Sequence, residues 1–452
     1  MKKKIIKNKF NDLKNLKIYL NNIPIKYLIA LSIPAFSQII NFSTAYYISR
    51  IMGFSYGEVG ILVAILSSSF FVSDFGCSTY VSLLKSTKAA FIIYKRALFS
   101  RFVIFLFLSS AILVVFLIRN QLNSTNFIFS IIGLLLHSIM MANPWPLFLQ
   151  RRKLIIANFS QYIHVLIYAL LSLIIYNSPV FLLLKLYLNP SVIGYLIFVS
   201  AIFISQLIWQ FIIYKSSYRI YSLFCIKNLE NIFIFKESSY RNIKNIILLL
   251  PKFLNSFIKP LKLFLKLGAS FLILGVAPFI YDAFAFDMSK DFLTIYVSGV
   301  QILAFLGFAS RSIIMLKISG NNKLPKPKLS TYIYLILIGS LIILFYCFFI
   351  DKLFNFEEIN VRKVGIPLIS ISLISQLVGA YILYYFISTK QQKIFAKTSI
   401  SSVFLGISIL IIFVLLGIEY ASLLARTFES VGALLIAIHW TNKKISTKNL
   451  EI

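Results

Sequence analysis

Cysteine is nearly missing from this chain, with three in 452 residues. Cys77, Cys225 and Cys347 lie far apart and have neither metal-knuckle nor disulfide-framework spacing, which leaves them as small apolar packers. Histidine is equally sparse. His137, His164 and His439 have no local His, Cys or carboxylate partner at ligand spacing, so packing or pore-lining roles are expected and a metal is not. No Gly-rich lysine motif is present to cradle phosphates, which excludes an ATPase. Charge is the most telling shortage: charged residues make up 13% of the chain and hydrophobic ones 59%. A soluble surface calls for about a quarter charged residues. Water is therefore not the main solvent, and a soluble catalytic domain is excluded.

What the chain has instead is long apolar runs. At about 20 residues per bilayer crossing, they fall near 28–48, 59–83, 97–118, 127–149, 154–176 and 192–214, then 267–286, 292–316, 330–350, 364–388, 399–416 and 418–440. The expected fold is an all-α integral membrane protein with about twelve transmembrane helices, arranged as two six-helix bundles around a central cavity. The corresponding organisation is a basic tail over 1–27, bundles over 28–214 and 267–440, a linker over 215–266 and a tail over 441–452. The stretch 179–191, broken by Lys185 and closed by Asn189-Pro190, could lie at the interface and is not counted as a span.

Acidic residues are few, 14 against 45 Lys and Arg, for a net charge of +31. An excess of that size raises nucleic-acid binding, but its distribution favours a membrane explanation. With the N-terminus placed inside, 37 of the 45 basic residues fall in the tails and alternate connections, whereas four of the 14 acids do. This is the positive-inside pattern, which predicts two cytoplasmic termini, an even span count and no nucleic-acid partner. The leading Met1-Lys2-Lys3-Lys4 reads as a cytoplasmic tail and not a cleaved signal. The linker alternates apolar residues with Lys, Arg, Asn and Ser. It reads as amphipathic helices on anionic membrane lipids or as a basic loop kept inside by topology.

Ionisable and helix-breaking residues at membrane depth are the candidate site. Asp74 lies eleven positions before Lys85, or about 16 Å along a helix. It is either a lumen carboxylate that binds a cation or positions a basic partner, or a helix–helix hydrogen-bonding group. Arg426 and Glu429 share a helix face, as a neutralised pair or as an anion contact oriented by its neighbour. Arg50 and Arg311 near span ends either snorkel or draw in an anionic headgroup. Pro34 and Pro278, at comparable places in the two halves, are candidate hinges, and Pro144 and Pro146 interrupt the fourth span. The stripe Ser32, Ser37, Gln38, Asn41, Ser43 and Thr44 offers sugar or water contacts, or helix-interface hydroxyls.

Arg50-Ile51-Met52-Gly53, the Tyr56-Gly57 turn and Asp74-Phe75-Gly76 resemble the first two helices of O-antigen flippases of the polysaccharide transporter family. The segment Gly417 to Glu429 is similar to their closing Gly-x-x-Gly-Ala-x-x-Ala…Glu pattern but lacks its second Gly. The resemblance implies a member of the multidrug, oligosaccharidyl-lipid and polysaccharide exporter superfamily in the bacterial inner membrane. Such a protein would move an undecaprenyl-diphosphate-linked oligosaccharide by alternating access, with no cofactor and no enzymatic activity. It implies substrate contacts from Arg50, Arg311, Arg426, Gln38 and Asn41, and H⁺ or Na⁺ coupling through Asp74 or Glu429. The polysaccharide polymerase machinery is a further candidate partner. The alternatives are a cation-coupled drug or metabolite exporter of the same superfamily and a membrane-embedded glycolipid-modifying enzyme.

Overall fold

The computed structural model describes scattered positions between 32 and 48 and the ranges 55–215, 276–302 and 326–448, apart from single positions within them. Among these residues all regular structure is helical. Among the described residues nine helices are long and apolar enough to cross a bilayer. The protein is therefore a multi-pass all-α membrane protein. The tails over 1–27 and 449–452 and the linker from 216 to 266 lie outside the described residues.

The first half contains α1 (Tyr56–Asp74), α2 (Cys77–Leu83), α3 (Thr87–Ile118), α4 (Ser124–His137), α5 (Trp145–Gln150), α6 (Leu154–Tyr176), α7 (Pro179–Tyr187) and α8 (Pro190–Lys215). The second half contains α9 (Val276–Ala285), α10 from 290 to 302, α11 (Leu329–Phe354), α12 (Ile366–Ser388), α13 (Gln392–Leu415) and α14 (Ala421–Lys448). Helix starts follow local chemistry. The Ser86 hydroxyl caps α3 by accepting from Ala89 N, and the Asn123 side chain caps α4 by accepting from Asn126 N. Pro179 and Pro190 occupy first-turn positions, where a missing N–H costs nothing.

Among the described spans, three depart from uninterrupted helices. The second breaks at Gly76, whose φ of 69° suits a residue without Cβ. The fourth passes from α4 into a 3-10 turn (Ser138–Ala142) and resumes at α5 beyond Pro144, so its prolines divide it outright. The tenth enters through a π turn (Val361–Gly365). The third runs the other way. It begins at Thr87, ten residues before the expected start at 97, because Lys88, Lys95 and Arg96 lie on an exposed helical face. Helix α14 continues through Lys448, past the expected start of the C-terminal tail at 441. The nine residues of α7 reach about 13 Å, too short to cross.

Burial sorts the helices by position. The apolar windows of α1 and α8 are 71% and 67% buried, whereas that of α11 is 13% buried. The former are central and the latter faces lipid. Exposed Leu341, Leu344, Phe107 and Phe404 are what a bilayer-facing surface requires. Helix α8 packs on α1, α4 and α6, and α3 packs on α1 and α4; in the second half α14 packs on α12 and α13, and α12 on α11. Between the halves α1 meets α10. A Cβ on Gly57 would stand 2.5 Å from the Thr294 amide nitrogen, so glycine lets these two backbones touch.

Candidate functional site

The first buried charge centre forms around the broken second span. Asp74 ends α1, and its carboxylate accepts from the backbone N–H and hydroxyl of Ser78 at 3.1 and 2.6 Å, capping α2 across the break. The same carboxylate pairs with Arg101 at 2.9 Å, with side-chain exposures of 13% and 1%. Arg101 also donates to the Met141 carbonyl at 3.4 Å, and Tyr94 donates to the carbonyls of Met141 and Asn143 at 3.0 and 2.5 Å. Those carbonyls lie in the turn before Pro144, where helical partners are lost. One ion pair thus anchors the breaks of two spans. Arg101 belongs to the interior and not to the exposed surface on which its neighbours Lys95 and Arg96 lie.

A second centre lies in the other half and reaches across. Asp282 on α9 is fully buried and accepts from Arg426 at 3.3 Å and Tyr296 at 2.6 Å. Its other oxygen accepts a short hydrogen bond from Ser68 of α1. Arg426 further donates to the Tyr296 hydroxyl at 3.0 Å. Its ion-pair partner is therefore Asp282, 144 positions away, in place of Glu429 one turn along its own helix. Glu429 sits beside Gly406 and Tyr281.

Between these centres is a cavity of about 230 Å³. Helix α1 presents Gly60, Val63, Ala64, Ser67 and Asp74 to it, residues that recur at three- and four-residue steps along one face. The first half adds Trp145, Tyr162, Tyr168 and the two histidines; Asn41 and Gln301 meet there from opposite halves. The Asn41 amide donates to the Gln301 oxygen at 2.7 Å, and the Tyr56 hydroxyl donates to the same oxygen at 2.5 Å. His137 packs edge-on to Phe105 and Phe198, with ring centroids 5.1 and 5.7 Å away, and His164 stands edge-on to Phe198 at 5.6 Å. Asp74 carries the one formal charge among the described acidic and basic lining residues, and its carboxylate is engaged by Arg101. Arg426 is not on the wall.

The halves are joined at one end by polar contacts from short connections. Asp287 accepts from Arg119 at 2.9 Å and from Gln121 at 2.5 Å; Lys290 pairs with Glu58 at 3.3 Å. Ser55 meets the Thr294 hydroxyl at 3.0 Å.

Of the residues expected from sequence, Asn41 and Asp74 line the cavity, Arg426 lies in the Asp282 network, and Pro278 is on α9, near the start of its described part. Arg50, Arg311, Gln38 and Pro34 lie outside the described residues. In the polar stripe, the hydroxyls of Ser37, Ser43 and Thr44 donate to carbonyls one turn back in their own segment. Arg101, Asp282 and Tyr296 were not singled out. Two signals pointed to Arg101 and Asp282, and none to Tyr296. Arg101 continues the spacing of buried Ala90, Tyr94 and Ala97, and Asp282 is a carboxylate within an apolar run.

No protein-family model matches the sequence, and no curated protein does either. Solved structures do. The eukaryotic MATE transporter AtDTX14 aligns with a TM-score of 0.51 at 14% identity, over 91% of this chain and 92% of that one. An inward-facing multidrug resistance MATE family transporter of the MOP superfamily aligns with a TM-score of 0.53 at 15% identity, over 93% and 98%. A MATE protein in complex with MaD5 gives 0.51 at 13% identity, over 94% of both chains. At such identities the likeness is one of architecture: the chain has the helical fold of MATE-type transporters.

Proposed function

We propose that this protein is a flippase of the bacterial inner membrane that carries an undecaprenyl-diphosphate-linked oligosaccharide from the inner to the outer leaflet by alternating access. The observation that carries this reading is a cavity walled by both halves, beneath a set of polar contacts that tie the halves together at one end. A diphosphate and a string of hydroxyls each cost several kcal/mol in hydrocarbon. A hydrated passage that opens to one side at a time removes that cost while the lipid tail stays in the bilayer. With both termini cytoplasmic, as the basic residues imply, the tied end faces outward.

Coupling to H⁺ or Na⁺ fits the same frame, since ~2.3 kcal/mol per charge per 100 mV is available from the membrane potential. Asp74 and Glu429 remain candidates, and Asp282 joins them. All the partners of Asp74 described above lie in its own half, whereas Asp282 accepts from Ser68 of the first half and Arg426 of the second. Protonating or metallating Asp282 would therefore weaken a link between halves. Drug or metabolite export, as in the multidrug resistance transporter among the structural neighbours, is the second reading. An unpaired carboxylate on the cavity wall would favour a cationic cargo, and the one described there is engaged by arginine.

The test is reconstitution of the full chain in liposomes with a fluorescent lipid-linked oligosaccharide. Faster translocation than in empty liposomes, dependent on a proton or Na⁺ gradient, is expected. A rate equal to that of empty liposomes would overturn flipping, and a rate that ignores both gradients would overturn coupling.

A further inference from the structure

We infer that the cavity is a carbohydrate subsite selective for uncharged sugars, so the diphosphate of the substrate is held elsewhere. This rests on the flippase reading and adds to it a specificity that the reading leaves open. The wall supplies the two things a neutral polyol needs. Trp145, Tyr162 and Tyr168 provide aromatic surface for the apolar faces of pyranose rings, and Asn41, Gln301 and Ser67 provide amide and hydroxyl groups for ring hydroxyls.

Among its described residues the wall also lacks an unpaired charge for a charged ligand. Asp74, the one formal charge among its described acidic and basic residues, accepts from Arg101 and Ser78. Arg101, at 1% exposure, lies behind it and turns no face to the cavity. Among the described lining residues a uronic or sialic carboxylate would lose its hydration with no Lys or Arg to replace it, and a drug cation would find no unpaired carboxylate. A diphosphate is excluded for the same reason. Size agrees: about 230 Å³ lies below the roughly 300–1,000 Å³ of sites that enclose a drug-sized ligand. About one sugar unit fits the space, and a complete headgroup does not.

Trp145 is a reporter within the site. In the full-length protein in lipid nanodiscs, Trp209→Phe and Trp440→Phe leave it as the sole tryptophan of three. Its quenching is then titrated with tetra-N-acetylchitotetraose as the neutral probe, tetragalacturonate as the acid and tetraphenylphosphonium as the cation. Saturable quenching by the neutral sugar is expected, with the other two at least about tenfold weaker. Asn41→Ala and Gln301→Ala should each raise the half-saturating concentration several-fold. Ser67→Lys, which places an unpaired cation on the half-buried wall, should improve tetragalacturonate binding by about tenfold or more.

Equal or stronger binding of the acid or the cation by the parent protein overturns the inference. So does an absence of neutral-sugar quenching in protein that still flips the fluorescent lipid-linked oligosaccharide, in which case the transport reading stands alone. Loss of both quenching and flipping overturns both. Transport of tetraphenylphosphonium without flipping overturns the transport reading itself.

Discussion

Asp282 and Arg426, 144 positions apart in the chain, meet at 3.3 Å inside the second half, and Ser68 of the first half donates to the free oxygen of the same carboxylate. The last span, the seventh and the second are thereby held at one point, with the Tyr296 hydroxyl closing the set by donating to Asp282 and accepting from Arg426. Substituting Arg426→Ala leaves a fully buried carboxylate without its cation, a change of about 3–5 kcal/mol for buried pairs. A clear loss of thermal stability is expected by scanning fluorimetry in detergent. The double variant with Asp282→Asn should lose less than the sum of the singles, because the second change removes the stranded charge. Additive losses would show that the two residues act separately.

The Asp74–Arg101 pair makes a different prediction because its arginine does two tasks. Arg101 reaches the Asp74 carboxylate at 2.9 Å with one nitrogen and the Met141 carbonyl at 3.4 Å with another. Lysine carries the charge on one compact nitrogen and cannot span both acceptors from one fixed plane. Arg101→Lys should therefore keep only part of the stability and display less surface glycan than wild type in cells lacking their own flippase. Full complementation by Arg101→Lys would reduce the residue to a simple counter-charge.

Tyr94 tests the fourth-span break independently of charge. Its hydroxyl donates to the carbonyls of Met141 and Asn143, and Tyr94→Phe takes that donor from both, leaving Met141 with the longer bond from Arg101. The expected cost is about 1–3 kcal/mol, read as a lower melting temperature. Unchanged melting would mean that water replaces the hydroxyl.

How much of this was legible in the sequence follows from the range of each interaction. Apolar run length set the positions of the spans because the bilayer imposes it residue by residue. The start of the third span was misplaced because Lys88, Lys95 and Arg96, exposed on one face of α3, read as a loop. The opposite face, Ala90, Tyr94, Ala97 and Arg101, is buried and belongs to the core. Asp74 was found because depth along one helix can be counted. Its partner, and the partner of Arg426, were not found, since pairing across 27 and 144 positions leaves no helical spacing to read. Helical spacing favoured Glu429 for Arg426. A buried arginine in a folded membrane protein takes the carboxylate that tertiary packing brings to it.

The contacts at the tied end should set the balance between states without setting the fold. Arg119 and Asp287 are 45% and 43% exposed, so their pair is worth about 0.2–1 kcal/mol and is screened by salt. Arg119→Gln should leave melting unchanged and shift the conformational equilibrium less than tenfold. Gly57 offers a stronger lever. A methyl there would stand 2.5 Å from the Thr294 nitrogen and 2.6 Å from the Leu293 carbonyl carbon, backbone atoms that cannot swing aside. Gly57→Ala must therefore part α1 from α10 just where the halves close. With a single cysteine introduced as Ser67→Cys in a cysteine-free background, Gly57→Ala should increase labelling by a membrane-impermeant maleimide added from the outside. Labelling that rises only from the cytoplasmic side would place the closed end on the opposite face and reverse the assigned orientation. Unchanged labelling from both sides would mean that the α1–α10 contact does not gate the cavity.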